Sequence, residues 1–160
     1  MFKKIAEAGL EYFKFEEDFV EKNVRCIPMI VRFKMDAAGI KLKLAEWSKF
    51  KVDERIELAV RRCTTKKETE EYRTYLANLV KKNTGQEATY MEVEQFPIWA
   101  NTDFVPGLLN EKAKEFGWTI STAQWQSLTD LQRFALSKLY KSGHENKNFP
   151  KAVREFGLFK

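Results

Sequence analysis

The stretch Pro28-Met29-Ile30-Val31-Arg32-Phe33-Lys34-Met35-Asp36-Ala37-Ala38-Gly39 reads as one amphipathic helix with both ends marked. Proline suits the first turn, where a backbone N–H has no intrahelical partner. Glycine suits the position just past the last turn, where the chain turns left-handed. Ile27, Ile30, Val31, Met35 and Ala38 recur at the spacing of a single helical face. The alternating run Ile40-Lys41-Leu42-Lys43-Leu44 predicts a short extended segment leading into a helix with Ala45, Trp47 and Phe50. Asp53 can cap a third helix, with Ile56, Ala59, Val60 and Cys63 on its inner face. Thr65 and Glu68 have the capping-box spacing for a fourth, which runs to about Asn83 and stops at Gly85. Its apolar stripe is Tyr72, Tyr75/Leu76 and Leu79/Val80.

The second half repeats this plan at an offset of 78 residues. Pro28 matches Pro106, Lys34 matches Lys112, Gly39 matches Gly117, and Ala45 matches Ala123. Trp47 matches Trp125, Arg55 matches Arg133, and Leu58 matches Leu136, with no gap needed. Apolar exchanges fill Ile30/Leu108, Val31/Leu109, Leu42/Ile120, Phe50/Leu128 and Ile56/Phe134. Ser121 with Gln124, and Thr129 with Gln132, are further capping-box patterns. A last helix is predicted from Asn148-Phe149-Pro150 to Gly157.

The expected fold is therefore all-α, a single domain over 1–160. Two similar helical units, about 28–85 and 106–157, would face each other about a pseudo-two-fold axis and share one core. Two repeats are too few for a solenoid. Trp47 and Trp125 are the expected anchors. The connector 86–105 holds Phe96, Pro97, Trp99 and Phe104; it is too aromatic for a flexible linker and is expected to lie ordered across the core.

Composition narrows the function classes. The chain has 160 residues, 44% of them apolar and 32% charged, which excludes disorder. Two Cys and one His cannot build a closed four-ligand zinc site from nitrogen and sulfur alone, nor a disulfide-dense scaffold. The net charge of +5 is spread between the halves, so it gives only a weak nucleic-acid footprint. No apolar run is long enough for a membrane span. Glu7 and Glu11 interrupt any signal-peptide core, and cysteines without an evident pairing pattern fit a reducing compartment, so a cytoplasmic location is expected.

The repeat also filters residues. Those kept in both units have structural explanations, and Arg55/Arg133 would cover a tryptophan or bond a helix C-terminus. Unmatched polar groups are the functional candidates: Arg25 and Cys26, then Arg32, Asp36 and Lys41, then His144, Glu145 and Asn146. A cation and a helix N-terminus beside Cys26 would favour a thiolate or soft metal ligand. The simpler assignment is a small buried hydrophobe, favoured still more for Cys63. His144, Glu145 and Asn146 fit a loop that caps the last helix better than a catalytic or metal-binding set. No metal site and no cofactor are assigned.

Phosphate-binding glycine loops, the nucleophile elbow and His-Glu-x-x-His are absent from the sequence. Each unit could mimic a helix-turn-helix DNA reader, but the second unit's candidate reading helix, Leu131-Gln132-Arg133-Phe134-Ala135-Leu136, has one Arg and apolar flanks, as a core helix would.

Several runs are more distinctive than the fold requires. They are Phe15-Glu16-Glu17-Asp18-Phe19-Val20, Arg25-Cys26-Ile27-Pro28-Met29 with Val31-Arg32-Phe33-Lys34-Met35-Asp36, and Gly39-Ile40-Lys41-Leu42-Lys43-Leu44 with Trp47. Later come Trp125, Leu128-Thr129, Leu131-Gln132-Arg133-Phe134-Ala135-Leu136 with Lys138, His144-Glu145-Asn146 and Asn148-Phe149. Together they resemble the bacterial nitrate-reductase-associated protein family, best known from cyanobacteria, over about residues 15–158. The first 14 residues look like an added N-terminal helix. The resemblance implies an accessory or maturation role for assimilatory nitrate reductase, exerted through a protein partner such as the reductase or its maturation machinery. It carries over no catalytic residue. Two other functions stand beside it: a small-molecule or metallocofactor-binding protein or enzyme using Cys26 and His144, and a duplicated helix-turn-helix regulator. A membrane partner is not expected, and nucleic acid is disfavoured.

Overall fold

A computed structural model describes residues 1–22, 26–141 and 147–159. The chain forms two units, residues 1–94 and 95–160.

The first unit opens with α1 (Phe2–Glu7) and α2 (Lys14–Lys22). Next come α3 (Met29–Ala38) and a two-residue strand β1 (Ile40–Lys41). Three helices follow: α4 (Leu44–Trp47), α5 (Val52–Val60) and α6 (Lys66–Thr84). A second strand, β2 (Thr89–Tyr90), pairs antiparallel with β1, Ile40 facing Tyr90 and Lys41 facing Thr89. The α3 helix starts and stops where its sequence says. Pro28 is the N-cap, and Gly39 at φ 68° donates its N–H to Met35 O. Its stripe Ile30, Val31, Met35 and Ala38 is buried against α5 and α6, while Ile27 is half-buried. Thr65 Oγ1 accepts the Glu68 N–H, giving α6 one arm of the expected capping box. Tyr72, Leu76, Leu79 and Val80 are its buried face.

Two expectations for this unit need correction. Asp53 does not cap α5: the helix begins one residue earlier, and Glu54 Oε1 accepts the Lys51 N–H at 2.8 Å. The buried face of α5 is Leu58 and Ala59 with Glu54 and Arg55; Ile56 and Val60 are half-buried, and Cys63 lies beyond the helix end. The helix is thus rotated toward the face that lets Arg55 and Glu54 reach their partners. Leu44 ends the extended run as the first residue of α4, and β2 itself carries no periodic signal because it is only two residues long.

The second unit contains a 3-10 turn (Ile98–Ala100), α7 (Gly107–Lys114), α8 (Thr122–Ser127), α9 (Asp130–Leu139) and α10 (Phe149–Glu155). Both predicted capping boxes form. Ser121 Oγ accepts the Gln124 N–H and Gln124 Oε1 accepts the Ser121 N–H; Thr129 and Gln132 do the same. Asn148 precedes α10 and Gly157 follows it with positive φ. The α9 helix buries Leu131, Arg133, Phe134, Ala135 and Leu136, so this segment belongs to the core and offers no face to a DNA groove. The connector aromatics differ in exposure. Phe96 and Phe104 are exposed, whereas the Trp99 ring meets Phe134 edge-on at 6.4 Å.

The helix starts at Met29, Leu44 and Val52 are followed, 78 residues on in each case, by starts at Gly107, Thr122 and Asp130. Trp47 and Trp125 are buried, each in its own unit. Burying one such ring removes on the order of 200 Å² from water, about 5 kcal/mol before ordering entropy. No helix of the described residues is long and apolar enough to cross a membrane.

Candidate functional site

The residues singled out by the repeat are dispersed. Cys26 is half-buried just before α3. Arg32 and Asp36 are half-buried one turn apart on α3, and Arg32 Nη1 lies 3.8 Å from Met29 Sδ. Lys41 is exposed on β1. Arg25, His144, Glu145 and Asn146 lie outside the described residues, and with them the pairing of Cys26 with His144. Among the described residues, no group of three or more His, Cys, Asp or Glu is placed to hold a metal ion.

The most perturbed group of side chains gathers at the C-terminus of α5. A helix end leaves its last carbonyls without intrahelical donors, and its dipole attracts a cation. Lys34, from α3, answers both needs. Its Nζ donates to Ala59 O at 2.6 Å and to Arg61 O at 2.7 Å. The Tyr72 hydroxyl donates to Leu58 O at 2.7 Å. Burial pushes the Lys34 ammonium down to about 8, against the opposing pull of Cys63 and Glu57. Cys63 follows immediately, its Sγ 3.7 Å from Lys34 O and 3.8 Å from Thr69 Oγ1. Burial raises its pKa, outweighing Thr69 and Lys34, and Glu68 adds to the rise. A thiol held protonated is a poor nucleophile. Burial likewise pushes the Tyr72 phenol well up. Glu68 Oε2 is the one buried side-chain oxygen without a hydrogen-bond partner among the described residues. The cluster can hold a helix end and exchange a proton at Lys34. It does not assemble an activated nucleophile.

Sequence reading passed over Lys34 because Lys112 matched it, which marked both as structural. A sharper signal was present: Lys34 falls inside the apolar arc Val31, Met35, Ala38, where a cation must find buried acceptors. Lys112 behaves differently. Its Nζ pairs with Glu115 Oε2 at 2.7 Å and lies over the Phe116 ring.

The two matched arginines share a task. Arg55 Nε donates to Trp47 O at 3.2 Å and Nη2 donates to Ser48 O at 3.0 Å, with the guanidinium over the Trp47 ring. Arg133 Nη1 donates to Trp125 O at 3.4 Å and to Leu128 O; Nε donates to Trp99 O at 2.9 Å. Nη2 pairs with Asp130. Buried carboxylates do parallel work at helix starts. Glu16 Oε1 accepts the Met29 N–H at 2.8 Å, which ties the Phe-Glu-Glu run of α2 to the Pro-Met start of α3. Burial alone would raise the Glu54 carboxyl, but the Lys51 N–H, Lys82 and Asn83 outweigh it and hold the pKa low. These Glu roles have no periodic signature, because each reaches a neighbouring helix end or its own.

One stretch differs in character from the rest of the surface. From residue 83 to residue 111 the chain has no Lys or Arg, although it holds 28 in all; the acids there are Glu87, Glu92, Glu94, Asp103 and Glu111. Large apolar side chains in the same stretch face solvent: Tyr90, Met91 and Val93 in the first unit, and Phe96, Ile98, Phe104 and Leu108 in the second. Scattered exposed apolar residues are ordinary; four of these seven belong to the second unit.

No curated protein and no solved structure matches this sequence. The conserved nitrate reductase-associated protein family does match, over residues 12–156, a span that takes in α2 through the end of α10. Nearly the whole of both units is thereby accounted for by one family, and the chain belongs to the conserved nitrate reductase-associated proteins.

Proposed function

We propose that this protein is a non-catalytic accessory factor of assimilatory nitrate reductase, acting in the cytoplasm by direct contact with the reductase or its maturation machinery. Membership of the family over residues 12–156 carries this proposal. The placement of the polar groups supports it. Lys34, Arg55, Arg133, Glu16 and Glu54 are committed to backbone groups, so their chemistry serves the fold. The exposed apolar side chains of the second unit between residues 96 and 108 suit contact with another protein. We further infer that the two units follow one duplicated plan. The recurrence of helix starts at 78 residues and of an arginine bonded to a tryptophan carbonyl in each unit supports this.

The decisive test is genetic and biochemical together. In a strain lacking this protein, nitrate reductase polypeptide accumulates normally while its activity falls severalfold, and purified protein retains the reductase in a pull-down. Full reductase activity in the deletion strain refutes the proposal.

A further inference from the structure

The second unit presents its apolar side chains from a backbone that is firmly held. Arg133 Nε donates to Trp99 O at 2.9 Å, Trp125 Nε1 to Asn101 O at 2.9 Å, and Gln126 Nε2 to Thr102 O at 3.1 Å. The Asp103 N–H closes a turn on Asn101 Oδ1 at 2.9 Å. Against this anchored backbone Phe96 is 91% exposed, Leu108 63%, Phe104 60% and Ile98 49%. A loop tied down at three carbonyls while four large apolar groups face water is preorganised for a partner, because little ordering entropy remains to be lost on contact.

Charge defines the partner. Asp103 and Glu111, both exposed, are the only charged residues from 95 to 111. Such a surface repels phosphate backbones and anionic lipid headgroups. A second copy of the chain fits poorly. A two-fold contact would set acid against acid, and a head-to-tail contact would have to close into a ring or run on as a filament. The complementary surface is a protein face with an apolar centre and a Lys/Arg rim. We propose that Phe96, Ile98, Phe104 and Leu108, with Asp103 and Glu111, dock a basic, apolar-centred face of nitrate reductase, a proposal that rests on the accessory role above.

Purified full-length protein and purified nitrate reductase from the same organism test it by biolayer interferometry at low and moderate salt. F96S/F104S is expected to weaken the Kd at least tenfold, because exposed aromatic anchors carry much of such binding. D103K/E111K is expected to weaken it and to flatten its salt dependence. L44S, at an exposed leucine of the first unit, is expected to bind as the wild type does. All variants change exposed positions, and unchanged far-UV circular dichroism and thermal midpoints confirm that they fold. If the wild type binds and F96S/F104S binds within twofold of it, the docking surface is refuted while the accessory role stands. If light scattering shows wild-type dimers that F96S/F104S abolishes, the stretch serves a second copy and the proposal is overturned. A wild type that does not bind the reductase at all overturns this docking assignment, and the accessory role is then carried by contact with the maturation machinery alone.

Discussion

Replacing Arg133 by Met tests whether one guanidinium ties the second unit together. The side chain is 6% exposed and reaches three carbonyls on separate segments: Trp99 in the connector, Trp125 in α8, and Leu128 between α8 and α9. Methionine fills much of the volume but donates nothing. Each buried carbonyl left without a donor costs about 1–3 kcal/mol. The Trp125 carbonyl keeps the Leu128 N–H at 3.3 Å, so its 3.4 Å contact with Arg133 contributes least. The Asp130 partner is largely exposed, so losing that ion pair adds under about 1 kcal/mol. The sum is a loss of roughly 3 kcal/mol, a large share of the ~5–15 kcal/mol that holds a domain folded. Arg133→Lys keeps one ammonium, which can serve one of the three carbonyls, and is expected to lose about half as much. Urea unfolding of wild type, R133K and R133M, followed by tryptophan emission and far-UV circular dichroism, gives the midpoints and slopes. A loss below about 1 kcal/mol for R133M, or equal losses for R133K and R133M, would show that the carbonyls are satisfied in another way and would refute the reasoning.

Two other expectations concern stability. Lys34 titrates at about 8 in the fold against 10.5 unperturbed. Between those values the unfolded chain binds the proton that the folded chain has released, so this group makes stability rise with pH through that window; below about 8 both states are protonated and its burial penalty is constant. After allowance for its partial exposure, the rise is about 1–2 kcal/mol. The wild type is expected to gain that much on K34M between neutral pH and pH ~10 in urea titrations, and a constant difference would refute the assignment. Gly39 and Gly85 both adopt positive φ, but a Cβ at Gly39 would lie 2.9 Å from Met91 O and from Val93 Cγ2, whereas at Gly85 it meets nothing within 4 Å. Both Gly→Ala changes are expected to cost about 1 kcal/mol for the left-handed backbone, and Gly39→Ala at least a further ~1 for the clash; equal thermal midpoints for the two variants would show that residues 91–93 yield easily.

Local chemistry was the legible part of this fold. Pro28, Gly39, Thr65, Ser121 and Thr129 each act on backbone groups within a few residues, so their positions alone located helix ends. The buried stripes of α3 and α6 were legible for the same reason, since helical periodicity is local. The α5 face was misjudged because a polar pair, Glu54 and Arg55, is buried there by partners that periodicity ignores: Lys82 and Asn83 from α6, and the Trp47 and Ser48 carbonyls. Aromatic content alone did not tell which connector rings are exposed. Hydrophobicity indicates which residues avoid water, but Phe96 and Phe104 remain in it. Of the candidate site, rarity pointed to Cys26 and His144, whereas the structure draws attention to Lys34, whose importance depends on carbonyls 25 and 27 residues away.

The buried tryptophans have an optical consequence. Trp47 is the sole tryptophan of residues 1–94, and it is sealed in that unit's core. The other three belong to residues 95–160 and sit in three distinct settings: Trp125 donates its indole N–H to Asn101, Trp99 meets Phe134 edge-on, and Trp118 stacks on Phe116. Excited where only tryptophan absorbs, a Trp47→Phe chain therefore emits from the second unit alone. Subtracting its spectrum from that of the wild type isolates the first, so each half of the molecule carries its own intrinsic fluorophore.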